Sequence, residues 1–491
     1  MRLSYIVNAL SLVMMSIGLV LLAPVIVAIF YHDTNSIFPF LSAAIISAGF
    51  GFLMRKIVPK AARLDNLNDI KKSEGLFIVA LSWVVFTLIA AIPYPFFNLS
   101  IIDSLFEATS GITTTGATIL THYDYSKAFF FWRSFTQWLG GMGIIVMFIA
   151  VLPQFAVAGR QMFFAEAPGP TEDKFTPRVR NTASLLWKLY VGLTIILMIC
   201  LYIAGMHPFD AICNAFSTIS AGGFSPNGES IFGYHIPAAT WIMAIFMIIA
   251  GTSFNLQFKV LQKRDLKILF KDDEFKCYLS FILIMSSIIA AVLFFHHNYN
   301  WLDAARHSLF QVVSVMTSSG FASIDYTKWT YSAQILLFVA IFFSSCASSA
   351  GGGIKVTRWL LLFKILKNEI SKILHPNAVI PVKYNGRLVS PDVLRSVFIF
   401  IFQYFIILGI SAIIITLIEQ NHTIGLTSAA TAIGNVGPGF GAIGPMGNFA
   451  HMHIISKIIL IINMLVGRLE IIPFLVMLSP DFWNLKNENL K

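Results

Sequence analysis

Long apolar stretches separated by short polar connections dominate this chain. A helix that crosses a bilayer needs about 20 mostly apolar residues. The stretches of suitable length lie near residues 4–30, 36–58, 75–97, 131–158, 181–206, 236–258, 275–297, 330–363, 393–418 and 454–478. The pattern therefore predicts an all-α polytopic membrane protein with ten crossings.

The composition agrees with a membrane protein. Of 491 residues, 57% are hydrophobic and only 12% are Asp, Glu, Lys or Arg, whereas a soluble domain carries about 25% charged residues. This shortage of charge excludes a secreted disulfide scaffold, a cytosolic enzyme and a disordered protein. The four cysteines are widely spaced and form no CxxC pair, which predicts buried free thiols: Cys200, Cys213, Cys277 and Cys346.

The basic residues are concentrated in alternate connections. Segments 55–72, 159–180, 259–276 and 364–395 hold 22 of the 34 Lys and Arg residues, whereas 31–35, 207–235 and 420–452 hold none. Because loops rich in Lys and Arg stay in the cytoplasm, both termini are expected on that side. The formal charge of +10 then indicates topology rather than nucleic acid binding. The basic loops are expected to contact anionic lipid headgroups.

Four outer connections share one pattern, a short apolar run followed by small polar residues and a glycine. They read DSLFEATSGITTTGAT (103–118), DAICNAFSTISAGGFS (210–225), DAARHSLFQVVSVMTSSGFAS (303–323) and GLTSAATAIGNVGPGFG (425–441). The aspartate precedes the glycine by 13 residues in the first two and by 17 in the third, one helical turn more. Runs of about 10–12 residues are too short to cross a bilayer, so each predicts a re-entrant helix followed by an extended segment.

The unit of helix, pore loop and helix recurs, and such internal repeats define an architecture before any single motif does. We predict two N-terminal helices and then four pseudo-repeats around one central pore. The predicted units are 1–72 for the two N-terminal helices with their cytoplasmic loop, 73–165 for repeat 1, 166–265 for repeat 2, 266–372 for repeat 3 with a broken second helix, and 373–491 for repeat 4.

The glycine segments suit a cation filter. Non-helical backbone at membrane depth is tolerated only where it is buried in protein or lines a watery cavity. Four such segments around one axis present rings of carbonyls, as a selectivity filter does, and glycine can adopt the positive φ that this requires. The predicted filter is Gly116, Gly223, Gly320 and Gly437, flanked by Thr114, Thr115, Ala221, Gly222, Ser318, Ser319, Asn435 and Val436. A purely structural role for each glycine is disfavoured by the four-fold repetition.

The segments TTTGAT, SAGGFS, SSGFAS and GNVGPGFG resemble the filter segments of the Trk/Ktr/HKT superfamily of potassium-translocating subunits. The two helices before the first repeat are similar to the bacterial TrkH/TrkG branch, and the likeness covers essentially the whole chain. The resemblance implies a K⁺ pore in the bacterial inner membrane. Because a single glycine per repeat offers fewer well-formed sites than a longer filter, we expect a preference for K⁺ over Na⁺ with Rb⁺ tolerated. The resemblance also implies a homodimer and a cytosolic nucleotide-binding regulatory subunit of TrkA type.

The predicted crossing 330–363 is interrupted by SSCASSAGGG at residues 344–353. Three glycines cost about 3 kcal/mol of helix propensity relative to alanine, which favours an intramembrane loop over a small-residue helix contact of the GxxxG kind. The loop matches the gate loop in the third repeat of the superfamily. The predicted gate residues are Ser348, Ser349, Ala350, Gly351, Gly352, Gly353 and Lys355.

Charged residues inside the membrane are costly and usually face a cavity or a partner. Arg468 lies within the last apolar crossing, and the resemblance implies an arginine that faces the pore beneath the filter. The alternative is an ion pair with Glu470 or Glu107. Acidic residues near the outer mouth either concentrate cations or cap short helices: Asp103, Glu107, Asp210 and Asp303.

Enzyme and nucleotide-binding motifs do not fit this sequence. It has no GxxxxGK[ST], no GxGxxG after a predicted strand, no HExxH and no GxSxG. We therefore expect no enzymatic activity and no organic cofactor, with K⁺ as the transported ion. A polytopic membrane enzyme is the remote alternative. Proton- or sodium-coupled K⁺ symport on the same fold stays open, although no chain of buried carboxylates suggests a proton relay.

Overall fold

The structure is a computed structural model that describes residues 3–58, 72–143, 179–297, 299–375, 380–471 and 474. Within these residues the chain is almost entirely helical. The helices are α1 (Leu3–Val20), α2 (Leu22–Phe30), α3 (Thr34–Ile57), α4 (Lys72–Ala91), α5 (Ile101–Ile112), α6 (Lys127–Gly141), α7 (Val179–Ile203), α8 (Pro208–Ile219), α9 (Pro237–Gly251), α10 (Phe254–Lys263), α11 (Lys267–Lys271), α12 (Asp273–His297), α13 (Trp301–Met316), α14 (Tyr331–Ala340), α15 (Val356–Leu374), α16 (Pro391–Glu419), α17 (His422–Gly434) and α18 (Ile454–Arg468). Strands β1 (Lys383–Tyr384) and β2 (Arg387–Leu388) form a short antiparallel hairpin.

Six helices in the described part of the chain are long and apolar enough to cross a membrane. They are Leu3–Phe30, Thr34–Ile57, Glu74–Phe97, Ala183–Ile203, Asp273–His297 and Pro391–Glu419. These helices confirm the prediction of a polytopic helical membrane protein. The described cysteines are all free, as predicted, although only Cys213 and Cys346 are fully buried.

One predicted crossing, 236–258, is wrong as a single straight helix. Helix α9 ends at Gly251, and α10 begins at Phe254 with its axis turned by 97°. The break is stabilised by Gln257, whose Nε2 donates to the carbonyls of Ile249 (2.7 Å) and Thr252 (2.9 Å). The Ile249 carbonyl also accepts from the N–H of Thr252 (3.0 Å), so the Gln257 side chain reinforces the end of α9.

Three other crossings are shorter in the structure than in the sequence pattern. Helices α6 and α18 have 15 residues each, and much of the remainder of predicted crossings 131–158 and 454–478 lies outside the described residues. The predicted crossing 330–363 is split into α14 and α15 by an irregular segment, as the glycine-rich sequence indicated. Most of the basic segments 55–72 and 159–180 also lies outside the described residues.

Four units of the same order follow the N-terminal helices. They are α4–α5–α6, α7–α8–α9, α12–α13–α14 and α16–α17–α18, each with a short and mostly buried second helix. The short helices α5 and α8 have 12 residues, α17 has 13 and α13 has 16. The extra turn predicted for the third copy is therefore confirmed. Helix α1 precedes these units and packs on α3 and on α4, the first helix of the first unit.

Candidate functional site

The backbone turns in the same way after each of the four short helices. A residue in the left-handed region is followed by one ordinary residue and then by a glycine with positive φ. The left-handed residues are Thr114 (φ 54°), Ala221 (58°), Ser318 (57°) and Asn435 (52°). The glycines are Gly116 (φ 82°), Gly223 (83°), Gly320 (72°) and Gly437 (97°).

A Schellman-type ending explains why four different sequences make this turn. In each copy, the N–H of the residue before the glycine donates to a carbonyl five residues earlier, in the last turn of the short helix. The pairs are Thr115 to Ser110 (2.9 Å), Gly222 to Ser217 (2.8 Å), Ser319 to Ser314 (2.8 Å) and Val436 to Thr431 (2.9 Å). These bonds satisfy carbonyls that a helix end leaves free and direct the chain into an extended segment.

The four segments form a closed ring. A methyl group at any of the glycines would overlap a backbone carbonyl of the next unit. The overlaps are Gly116 with Gly222, Gly223 with Ser319, Gly320 with Val436, and Gly437 with Thr115 of the first unit. The structure thus brings together all twelve residues predicted for the filter, and the ring leaves no room for a side chain at its glycines.

A cavity adjoins this ring. It is lined by Gly116, Gly223 and Gly320 and by residues that follow the glycines in sequence, such as Ser225 and Pro438. The twelve predicted filter residues are all neutral. The arrangement can therefore offer carbonyl and hydroxyl oxygens, but no fixed negative charge, to a dehydrated cation.

A buried ion pair lies behind the first two segments. Arg133 of α6 binds Glu107 of α5 at 2.7 Å, and the side chains are 2% and 0% exposed. Glu107 also accepts from the N–H of Ile119 (3.0 Å), just after Gly116. The Arg133 guanidinium lies 3.9 Å from the centroid of the Phe224 ring, next to Gly223. The pair thus links the chain beyond the first glycine to the chain beyond the second.

Gln137, which lies on α6 with Arg133, holds the second segment. Its Nε2 donates to the carbonyl of Gly222 (2.6 Å), and its Oε1 accepts from the N–H of Phe224 (3.0 Å). Sequence reasoning missed Arg133 and Gln137. The signal was present, because polar residues four apart in an apolar helix lie on one face and are expensive in a membrane unless they have a partner.

The aspartates predicted near the outer mouth occupy the third position of their short helices. Asp103 lies in the first turn of α5, Asp210 of α8 and Asp303 of α13, where a carboxylate is stabilised by the helix dipole. Asp103 also binds Lys457 (2.7 Å), and Asp303 binds Arg306 (2.8 Å). These contacts support the helix-terminal role, since two of the carboxylates are already neutralised by the protein.

The predicted gate loop packs directly against the third and fourth segments. The N–H of Gly352 donates to the Ser318 hydroxyl at 2.7 Å. A methyl group at Gly351 would lie 2.7 Å from the carbonyl oxygen of Thr317, and one at Gly352 would lie 2.8 Å from the Asn435 side chain. Small residues are therefore required for the loop to reach the ring.

Two basic side chains hold the loop from within the protein. Lys355 is 8% exposed. Its Nζ donates to the carbonyl of Gly351 and lies 3.4 Å from the hydroxyls of Ser345 and Ser349. Arg468 donates from Nη1 to the carbonyl of Ala350 at 2.9 Å.

Arg468 also joins the loop to the first repeat. Its Nη2 donates to the carbonyls of Gly140 (2.6 Å) and Gly141 (3.3 Å) at the end of α6. The two carboxylates considered as alternative partners bind other arginines, because Glu470 pairs with Arg358 and Glu107 with Arg133. Arg468 thus donates to backbone carbonyls on two sides, and its guanidinium also lies 5.6 Å from the centroid of the Trp83 ring.

Glu274 is a further residue that the sequence did not single out. This carboxylate in the first turn of α12 is 4% exposed. It accepts from the N–H of Ala347 in the loop (2.6 Å), from the Thr357 hydroxyl and from the Tyr384 hydroxyl of β1 (3.2 Å). It connects the loop to the β-hairpin, a contact between residues too distant in sequence for a local pattern to reveal.

Comparison with known proteins gives matches over most of the chain. The family model described as TrkH, cation transport protein, matches residues 41–485. The Trk system potassium uptake protein TrkH of Salmonella typhimurium is 40% identical over 422 residues, which are 85% of this chain and 87% of that protein. The Trk system potassium uptake protein TrkG of Escherichia coli is 33% identical over 471 residues, which are 95% and 96% of the two chains.

A solved structure is similar over the full length. The crystal structure of the potassium transporter TrkH from Vibrio parahaemolyticus matches with a TM-score of 0.88 and 31% identity. The match covers 98% of this chain and 100% of that one. The similarity therefore includes the N-terminal helices and all four units.

Proposed function

The chain belongs to the TrkH family of cation transport proteins, and on that premise we propose that it takes up K⁺ across the bacterial inner membrane through a gated pore. The relatives are named as potassium uptake proteins of the Trk system. The observation that carries the proposal is the closed ring in which four glycines each abut a carbonyl of the next repeat.

The twelve residues of the ring act as the selectivity filter in this proposal. Their backbone carbonyls replace part of the hydration shell of the ion. Because none of these residues is charged, the site binds the ion weakly enough to release it. A filter with one glycine for each repeat favours K⁺ over Na⁺ and accepts Rb⁺.

The loop at 344–353 acts as the gate beneath this filter. It touches the filter through Ser318 and Asn435, and Arg468 and Lys355 donate to its carbonyls. Their positive charges also oppose a cation at the same depth. Withdrawal of the loop would open the pathway, and breaking the hydrogen bonds of Arg468 would favour that withdrawal.

We expect Arg468→Ala to raise K⁺-driven Rb⁺ uptake into liposomes. The change removes hydrogen bonds from a charged donor, which are worth about 1.5–3 kcal/mol each, so the closed state should lose at least about tenfold in relative population. Arg468→Gln, which can still donate to one carbonyl, should give an intermediate rate. The control is Arg306→Ala, which alters an arginine in a short helix away from the loop. Unchanged uptake in Arg468→Ala would mean that the arginine does not hold the gate.

The quaternary arrangement and location complete the proposal. The Trk system named by the relatives has several components, and we place a cytosolic TrkA-type nucleotide-binding subunit on the side of the basic loops. Both termini lie on that side, the protein forms a homodimer with one pore in each protomer, and anionic lipids contact the basic loops. We also propose that the four repeats begin at residues 73, 166, 266 and 373.

Growth of a bacterium that lacks its own K⁺ uptake systems tests the function. Expression of this chain with a TrkA-type subunit should restore growth at low K⁺, and expression of the chain alone should restore it less. Failure of both, with the protein present in the membrane, would contradict the proposal. Rb⁺ uptake by liposomes that appears only with an imposed proton or Na⁺ gradient would instead identify a coupled symporter.

A further inference from the structure

The chain turns sharply after α9. Helices α9 and α10 are long and apolar enough for a crossing only when taken together, and α10 leaves α9 at 97°. With α9 along the bilayer normal, α10 is parallel to the bilayer plane. Its inner side, with Phe254, Leu256 and Val260, is buried against the protein.

The outer side of this segment has the composition of a membrane-surface helix. Residues 254–271, here termed the surface segment, comprise α10, α11 and the turn between them. Leu261, Leu266 and Phe270 are 61%, 68% and 58% exposed. The segment carries one acidic residue, Asp265, and the basic residues Lys259, Lys263, Arg264, Lys267 and Lys271. Exposed apolar side chains interspersed with basic ones bind the interface of an anionic bilayer.

The bend at the start of the surface segment is hydrogen-bonded to the gate loop. The N–H of Cys346 donates to the carbonyl of Gly251 (2.9 Å), and that of Ala350 donates to the carbonyl of Ala250 (3.3 Å). In return, the N–H of Phe254 donates to the carbonyl of Ser348 (3.0 Å). A shift of α10 relative to α9 must therefore strain or move the loop.

We propose that the surface segment binds anionic phospholipid headgroups and that this contact sets the position of the gate loop. The coupling rests on the proposed function, because it assumes that the loop gates the pore. The membrane is favoured over a cytosolic protein as the occupant for two reasons. Helix α10 lies across the axis of α9, and the exposed Leu266 and Phe270 accompany the basic groups immediately before α12, one of the six long apolar helices.

Lipid binding is tested with fluorescent phosphatidylglycerol titrated into the full-length protein in detergent. The variant Lys263→Gln with Lys267→Gln removes two positive charges from the surface segment. We expect its dissociation constant to rise about thirtyfold, from the usual contribution of a basic residue near an anionic surface. The matched control, Lys367→Gln with Lys372→Gln, removes two charges from α15 in another basic segment, where Lys372 already pairs with Glu369, and should raise the dissociation constant by much less. Equal affinities in all three proteins would overturn the proposal.

The coupling is tested by Rb⁺ uptake into liposomes of phosphatidylcholine with or without phosphatidylglycerol, in the absence of any regulatory subunit. Uptake by the wild type and by the α15 control should change several-fold with the anionic lipid, whereas the surface-segment variant should respond little. A wild-type rate that is independent of phosphatidylglycerol would overturn the coupling. Wild-type protein that transports no Rb⁺ in either liposome would instead refute the proposed function, and the titration would still decide the lipid site. Binding of a purified TrkA-type subunit to the segment, without lipid binding, would assign it to a protein partner.

Discussion

Gly223→Ala should abolish selective K⁺ uptake. Gly223 has φ of 83°, and a methyl group there would overlap the carbonyl oxygen of Ser319 in the next repeat. The Ser319 carbonyl belongs to the backbone of the same ring. It can therefore move away from the methyl group only if the ring opens. We expect the ratio of K⁺ to Na⁺ uptake to fall by at least about tenfold, which corresponds to about 1.4 kcal/mol.

The matched control for this variant is Gly205→Ala. Gly205 has φ of 100°, yet nothing lies within 4 Å of the position that its methyl group would occupy. The control thus carries the backbone strain of a left-handed alanine, about 1–2 kcal/mol, without a clash at the ring. The ratio of K⁺ to Na⁺ uptake by liposomes reports the clash at the ring, and the melting temperature in detergent reports the backbone strain. If both variants lose the same stability and keep the same selectivity, the ring is not the filter.

The repeated pattern of the sequence predicted where the unusual backbone lies. Gly116, Gly223, Gly320 and Gly437 follow short apolar runs at nearly constant spacing, and the longer spacing in the third copy appears as the additional turn of α13. Such features are local, because a helix of given length ends at a residue that can adopt positive φ. Local sequence could therefore indicate them without any knowledge of the packing.

The contacts that support these segments could not be predicted in the same way. Arg468 bonds to Gly140 and Ala350, which lie 328 and 118 positions before it along the chain. The break after Gly251 was also hidden, since Thr252 and Ser253 interrupt the apolar run only briefly. Its stability depends on Gln257, a polar residue that the apolar pattern places inside the predicted crossing 236–258.

Of these supporting contacts, the pair of Arg133 and Glu107 is the one whose disruption should cost most. Both side chains are buried, and the carboxylate also holds the chain at Thr118 and Ile119 just beyond Gly116. Removal of one partner leaves a charge in an apolar interior. That loss typically costs about 3–5 kcal/mol, far more than the net contribution of the intact pair.

Glu107→Gln should therefore destabilise the protein by about 3–5 kcal/mol in thermal unfolding and lower its selectivity for K⁺, because Arg133 loses its counter-charge beside Phe224. The matched control is Arg306→Gln, which breaks the more exposed pair with Asp303 and should cost less than about 1 kcal/mol. The double variant Glu107→Gln with Arg133→Gln should recover part of the lost stability, since no unpaired charge stays buried. A double variant less stable than Glu107→Gln would show that Arg133 stabilises the repeats through contacts other than its carboxylate partner.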